Sequence, residues 1–87
     1  MPKVVIYTTS SCPYCIAAKR LLTQKGVSFE EIGVDDNPAG RAKMSERTGG
    51  SRTVPQIFIG ESHVGGCDEL YALEQAGRLD ALLAATQ

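Results

Sequence analysis

Residues 4–15 read VVIYTTSSCPYC, and this stretch decides the fold. The apolar run at residues 4–7 shows no polar alternation, which predicts a strand buried on both faces. Polar residues 8–11 end that strand. From residue 12 the apolar positions recur at helical spacing, so the stretch also predicts a helix over about residues 12–25. The apolar positions of this helix are Tyr14, Ala17, Ala18, Leu21 and Leu22.

The ends of this helix carry recognisable sequence signals. Ser11 is a favoured N-cap residue, and Pro13 suits the first turn, where its missing N–H leaves no hydrogen bond unmade. Gly26 after Lys25 indicates the end of the helix. The Cys-x-x-Cys motif therefore lies where the first strand passes into the first helix.

The next part of the chain repeats the alternation of strand and helix. Residues 27–32 show a mixed strand pattern, consistent with a second strand. Asn37 followed by Pro38 is typical of a helix start, which predicts a second helix over about residues 38–48.

The C-terminal half predicts a hairpin and a further helix. Residues 54–59 are β-rich, and a short turn separates them from residues 63–64, which favours an antiparallel pair. Asp68 is a plausible N-cap for a third helix that ends at Gly77 and is followed by a short amphipathic tail. The order β-α-β-α-β-β-α predicts an α/β fold with one four-stranded mixed sheet flanked by helices.

Composition limits the possible functions. The 87 residues suffice for one domain, over residues 1–87, and 43% hydrophobic with 22% charged residues is typical of a globular protein. Nine basic and ten acidic residues are spread without a basic run, which argues against nucleic acid as a partner. The apolar run near the N-terminus is too short for a signal peptide or a membrane span, so we expect a cytoplasmic protein without a membrane partner.

The three cysteines point to redox chemistry or to metal binding, because an odd number cannot all pair within the chain. At a helix start, unpaired backbone N–H groups and the helix dipole favour a thiolate, which predicts Cys12 as the nucleophile. Cys15 is close enough to form a disulfide with Cys12 and is predicted to be the resolving thiol. Tyr14 lies on the apolar stripe, so it either packs in the core or presents an aromatic surface at the mouth of the site.

A zinc site is the alternative for these cysteines. Cys12 and Cys15 would combine with His63 and Cys67 into a set of three cysteines and one histidine. His63 and Cys67 lie far along the chain from Cys15 and have the spacing H-x-x-x-C. They lack the tight knuckle that a small zinc domain uses. The strand-to-helix context of the first pair favours redox chemistry without a resident metal.

Three segments form a specific combination, namely CPYC at residues 12–15, TVP at residues 53–55 and GGCD at residues 65–68. Together they resemble the dithiol glutaredoxins, and the likeness covers essentially the whole chain. The resemblance implies a thioredoxin fold in which the peptide bond between Val54 and Pro55 is cis. It also implies an enzyme, a glutathione–disulfide oxidoreductase, that uses glutathione as co-substrate and holds no tightly bound cofactor.

The same resemblance implies where glutathione binds. The Val54 backbone would pair with the substrate backbone like an added strand. Backbone N–H groups at the start of the third helix would bind the γ-glutamyl carboxylate, and Asp68 would pair with the ligand ammonium while also capping the helix. Cys67 would line this segment through its backbone and take no part in exchange. The implied glutathione-binding residues are Tyr14, Thr53, Val54, Pro55, Gly66, Cys67 and Asp68.

One position departs from the pattern of the family. Many glutaredoxins carry a lysine a few residues before the first cysteine, whereas Thr9 takes the equivalent place here. Another cation, from Arg52, Arg47 or Lys19, would have to reach the site instead. A solvated surface position is the simpler expectation for each of these three.

The predicted function is glutathione-dependent reduction of protein disulfides and of glutathione mixed disulfides by a monomer. Its partners would be glutathione, disulfide or glutathionylated proteins and, indirectly, glutathione reductase and NADPH. One alternative is an electron carrier of the same fold that a thioredoxin-type reductase reduces. Another is a carrier of a two-iron, two-sulfur cluster held by Cys12 of two chains and two glutathiones, against which Pro13 and Cys15 both argue.

Overall fold

The computed structural model describes residues 3–51 and 53–84, which contain alternating strands and helices. The strands are β1 (Val4–Thr8), β2 (Glu30–Gly33), β3 (Gln56–Ile59) and β4 (Ser62–Gly65). The helices are α1 (Pro13–Gln24), α2 (Pro38–Arg47), α3 (Cys67–Gln75) and α4 (Leu79–Ala84). The predicted order is confirmed, and the amphipathic tail forms a separate helix, α4.

The strands form one sheet in the order β2-β1-β3-β4. Strand β1 runs parallel to β2 and antiparallel to β3, and β3 is antiparallel to β4. The predicted mixed sheet of four strands is therefore confirmed. Because β1 is an inner strand, the loop and helix that follow it start from the middle of the sheet.

Every residue of β1 is buried, as predicted for a strand covered on both faces. Ile6 belongs to the larger apolar cluster, together with Leu22 of α1 and Leu70 of α3. Tyr7 belongs to a second cluster with Met44 of α2. Successive side chains of a strand point to opposite faces, so helices cover the sheet on both sides.

Helices α1 and α3 are joined by a specific contact as well as by apolar packing. The hydroxyl of Tyr71 in α3 donates a hydrogen bond to the carbonyl of Ala17 in α1 at 3.1 Å. This contact places the start of α3 on the same side of the sheet as the first cysteines. None of the helices within residues 3–51 and 53–84 combines the length and apolar character that crossing a membrane requires.

Two predicted helix starts are wrong. The N-cap of α1 is Cys12 rather than Ser11, because the sulfur of Cys12 accepts a hydrogen bond from the backbone N–H of Cys15. The N-cap of α3 is Gly66 rather than Asp68, which lies within the first turn. The negative charge of Asp68 still interacts favourably with the positive end of the helix dipole.

Two strands start later than predicted. Strand β2 begins at Glu30, because its ladder with β1 pairs only the residues from Glu30 onward. The preceding Val27 and Phe29 pack against the larger apolar cluster instead. Strand β3 begins at Gln56, since the preceding Pro55 has no N–H to give to a ladder.

The central packing predicts a large cost for truncating Leu22. Its side chain is fully buried at 0% exposure, so Leu22→Ala should lower the free energy of unfolding by about 2–5 kcal/mol, through lost burial and the cavity left behind. Urea unfolding followed by circular dichroism measures this change. Leu82→Ala, at the partly buried edge of the same cluster, is the matched control and should cost less. Equal losses in both variants would contradict this account of the core.

Candidate active site

The two cysteines of the Cys-x-x-Cys motif meet in the first turn of α1. Both are free thiols, Cys12 being partly exposed and Cys15 buried. The N–H of Cys15 donates to the sulfur of Cys12 at 3.3 Å, and the thiol of Cys12 lies 3.7 Å from the carbonyl oxygen of Val54. A backbone N–H aimed at the sulfur and the positive end of the helix dipole both favour negative charge on Cys12. The sulfur that a substrate can reach is thus that of Cys12.

Burial makes the second thiol unlike the first. Burial raises the pKa of the Cys15 thiol to about 11, and the neighbouring Cys12 adds to the increase. A backbone hydrogen bond with Thr9 and the charge of Lys19 act in the opposite direction. At neutral pH Cys15 is therefore a protonated thiol and a poor nucleophile until it loses its proton.

An open groove of about 380 Å³ lies between the first turn of α1, the segment before β3 and the start of α3. It brings together all seven residues for which the sequence predicts glutathione contacts. Tyr14 lines this groove and is 62% exposed, so it does not pack in the core. The groove is lined by Tyr14, Ser51, Thr53, Val54, Pro55, Gln56, His63, Gly65, Gly66, Cys67, Asp68 and Glu69.

The wall of the groove nearest the nucleophile is the segment that contains Pro55. The predicted cis peptide bond between Val54 and Pro55 is confirmed. The carbonyl of Val54 is the backbone group that reaches toward Cys12. An extended substrate backbone lying along Val54 would therefore bring its own sulfur next to that of Cys12.

The opposite wall is the start of α3, where a side chain holds the glycine loop. The N–H of Gly66 donates to Oε1 of Glu69 at 2.7 Å, so this N–H is already engaged. Gly65 has a φ of +115°, and a Cβ there would lie 2.9 Å from the same Glu69 oxygen, so the position requires glycine. The N–H groups of the first turn of α3, beginning at Cys67, have no partner within the helix and are available to an anion.

The thiol of Cys67, which also lines the groove, lies in a buried environment. Its residue surface is only 9% exposed. Burial, followed by the charge of Asp68, raises the pKa of the Cys67 thiol. Both effects favour the protonated form, which agrees with a role for its backbone rather than its sulfur.

Two of the three cations considered as replacements for the missing lysine, Lys19 and Arg47, contact other protein groups. Nζ of Lys19 forms an ion pair with Glu31 at 2.9 Å. The guanidinium of Arg47 lies 4.0 Å from the ring centroid of Phe58, and its Nη1 lies 3.3 Å from the hydroxyl oxygen of Tyr7. Both side chains thus have protein partners, while Arg47 is exposed and Lys19 partly exposed, as expected for surface positions. Arg52 lies outside the described residues.

The zinc alternative does not match the geometry. Nε2 of His63 lies 2.7 Å from Oε1 of Gln56, and its ring stacks on Phe58 at a centroid distance of 4.8 Å. Within residues 3–51 and 53–84, no group of three or more His, Cys, Asp or Glu side chains is arranged to hold a metal ion. His63 instead belongs to the wall of the groove.

Five groove residues had no predicted role in substrate binding. For Gln56 the sequence does contain a signal, since it is the one polar residue of β3, a strand buried along its whole length. A buried polar side chain requires hydrogen-bond partners. The identity of those partners could not be predicted, because they come from other segments. The five residues are Ser51, Gln56, His63, Gly65 and Glu69.

A Cys-x-x-Cys pair between an inner strand and a helix, facing a cis-proline segment, defines the thiol–disulfide oxidoreductase site of a thioredoxin fold. The glutaredoxin family model matches residues 4–64. The chain belongs to the glutaredoxin family, and its activity is that of a thiol oxidoreductase.

Individual relatives agree with this assignment. A glutaredoxin from Pseudomonas aeruginosa is 66% identical over 85 residues, which cover 98% of this chain and 100% of that protein. Glutaredoxin 3 from Escherichia coli K12 is 57% identical over 83 residues, covering 95% of this chain and 99% of that protein. The crystal structure of a buckwheat glutaredoxin–glutathione complex matches with a TM-score of 0.84 and 34% identity, over 94% of this chain and 76% of that one.

The influence of Cys12 on Cys15 predicts a measurable change in the pKa of the Cys15 thiol when Cys12 is removed. Because Cys12 adds to the high pKa of Cys15, the variant Cys12→Ala should titrate Cys15 at a pKa below about 11. The measurement is the pH dependence of the Cys15 13Cβ chemical shift in two proteins, Cys67→Ser and the double variant that combines Cys12→Ala with Cys67→Ser. The first protein keeps the Cys12 thiol and is therefore the reference. An increase in the pKa of Cys15 on loss of Cys12 would contradict the assigned coupling.

Proposed function

We propose that this glutaredoxin reduces glutathione mixed disulfides and protein disulfides, with Cys12 as nucleophile, Cys15 as resolving thiol and glutathione as electron donor. One observation carries the proposal. The accessible sulfur of Cys12 accepts the N–H of Cys15 at 3.3 Å and lies beside Val54, at one end of the groove. A nucleophilic thiolate is thus stabilised where a bound disulfide would present its sulfur.

In the first step the Cys12 thiolate attacks the glutathionyl sulfur of a mixed disulfide. The bond between the two substrate sulfurs breaks, and the electron pair leaves with the thiolate of the substrate protein. A new disulfide joins Cys12 to glutathione. The glutathionyl half lies in the groove, where its extended backbone pairs with that of Val54.

In the second step a second glutathione thiolate attacks the sulfur of the glutathionyl group bound to Cys12, which forms glutathione disulfide and releases the Cys12 thiolate. The buried Cys15 competes poorly in this step, since its pKa of about 11 keeps it protonated. NADPH and glutathione reductase then return glutathione disulfide to two thiols. The monothiol route is therefore favoured for glutathionylated substrates.

Protein disulfides require Cys15. When Cys12 is joined to a protein, Cys15 loses its proton and attacks the sulfur of Cys12, and the substrate leaves as a thiolate. The result is a disulfide between Cys12 and Cys15, which two glutathione molecules reduce. The short separation of the two residues along the first turn of α1 supports this step.

The chemistry of the groove agrees with glutathione as the ligand. The first N–H groups of α3 and the positive end of its dipole suit the γ-glutamyl carboxylate. Asp68, in the same turn, supplies a negative charge for the ammonium group of that moiety. Tyr14 and Thr53 are exposed side chains at the rim. The solved buckwheat glutaredoxin, which is described as a complex with glutathione, lends further support.

The decisive experiment measures reduction of the mixed disulfide between glutathione and mercaptoethanol, coupled to NADPH through glutathione reductase. Cys12→Ser should fall to the uncatalysed rate, because a hydroxyl cannot replace the thiolate. Cys15→Ser should remain within about threefold of the wild type, since glutathione resolves the intermediate. Cys67→Ser is the matched control and should be fully active.

The opposite pattern would contradict this assignment. Loss of activity in Cys15→Ser with activity retained in Cys12→Ser would exchange the roles of the two thiols. A wild type that is inactive with glutathione, yet is reduced by NADPH and a thioredoxin-type reductase, would support the reductase-fed carrier instead.

A further inference from the structure

A chain of polar side chains runs along one wall of the groove. Gln56 lies in β3 and is 4% exposed. Its Nε2 donates to the carbonyl of Thr53 at 2.9 Å and lies 3.0 Å from the hydroxyl oxygens of both Thr53 and Ser51. Its Oε1 lies 2.7 Å from Nε2 of His63. Gln56 thus joins strand β4 to the segment that precedes Val54.

The chemistry of these groups decides which atom donates. A backbone carbonyl can only accept, so the nitrogen of the Gln56 amide faces Thr53 and its oxygen faces His63. His63 must therefore carry a hydrogen on Nε2, as one neutral tautomer and the imidazolium both do. The ring of His63 is held in turn by stacking on Phe58, with 22° between the planes. The amide of Gln56 has a single orientation that satisfies its partners.

This orientation controls the peptide unit between Thr53 and Val54. That unit is planar and trans, since the cis bond within residues 53–84 is the following one, between Val54 and Pro55. In a trans peptide the C=O and the N–H point in opposite directions. Because Gln56 holds the carbonyl of Thr53, the N–H of Val54 points away from the Gln56 amide. Val54 itself lines the groove.

We infer that Gln56 is a positioning residue for substrate binding, which aims the N–H of Val54 at the backbone of the bound substrate. His63 acts behind it by holding the amide of Gln56. The inference rests on the proposed function, because the backbone to be paired is that of the glutathionyl moiety. Gln56 does not touch the reacting sulfurs, so its effect falls on substrate binding rather than on thiol exchange.

The test compares Gln56→Met with Gln75→Met, an exposed glutamine of α3 that serves as control. Methionine has a similar length but donates no hydrogen bond, so the Thr53–Val54 peptide unit loses its anchor. In Gln56→Met, KM for the glutathione–mercaptoethanol mixed disulfide should rise about tenfold, while kcat stays within about twofold. His63→Phe, which keeps an aromatic ring over Phe58, should raise KM in the same direction by a smaller factor. Gln75→Met should match the wild type.

A second readout separates positioning from general structural damage. The rate at which iodoacetamide alkylates Cys12 should be the same in Gln56→Met and in the wild type, because the start of α1 is untouched. An unchanged KM, or a fall in kcat at constant KM, would overturn the inference. A wild type that shows no activity with the mixed disulfide would contradict the proposed function instead.

Nuclear magnetic resonance on the wild-type protein tests the inference without a variant and without catalytic activity. It therefore applies even if Gln56→Met does not fold or the wild type is inactive with the mixed disulfide. During titration with S-methylglutathione, which has no thiol to exchange, the side-chain amide of Gln56 should shift. Its shift should saturate with the same Kd as that of the Val54 backbone amide. A Gln56 amide that stays unchanged while Val54 shifts would overturn the inference.

Discussion

Burial of β1 on both faces holds the loop that carries Cys12, and the other parts of the site depend on it. Two polar contacts anchor the loop between β1 and α1, one at Thr8, the last residue of β1, and one at Ser10. The hydroxyl of Thr8 donates to Glu31 at 2.7 Å, and the N–H of Ser10 donates to Asp35 at 2.8 Å. These contacts tie the loop to β2 and to the turn after it, so Cys12 is presented at a constant place although the loop has no secondary structure of its own.

The groove shows how one site arises from three distant segments. The first turn of α1 contributes the sulfur of Cys12, the segment before β3 contributes backbone groups, and the start of α3 contributes N–H groups that have no partner within the helix. The two thiols differ in burial, because Cys12 is partly exposed whereas Cys15 is only 1% exposed. An accessible Cys12 and a buried Cys15 agree with the proposal that glutathione from solution, rather than Cys15, resolves the glutathionyl intermediate.

Local rules determined much of the fold and part of the site. Asn37 before Pro38 predicted the start of α2, where the side chain of Asn37 accepts the N–H of Gly40, because capping involves neighbouring residues only. The apolar run before the motif predicted a doubly buried strand, and the motif itself predicted a thiol at a helix start. Residue preferences predicted Ser11 as the N-cap of α1, whereas Cys12 is the cap in the structure, because the cap position depends on the direction in which the chain enters the helix.

The sequence by itself therefore determined the order of elements, the reactive thiol pair and the family to which the chain belongs. These features depend on short-range hydrogen bonding, on hydrophobic periodicity and on motifs of a few residues. Only the tertiary structure decided that Tyr14 faces the groove, that Arg47 stacks on Phe58 and that Gln56 links His63 to Thr53. These features depend on how distant segments approach one another, which is set by sheet register and helix packing. Sheet register and helix packing cannot be predicted from the local preferences of any one segment.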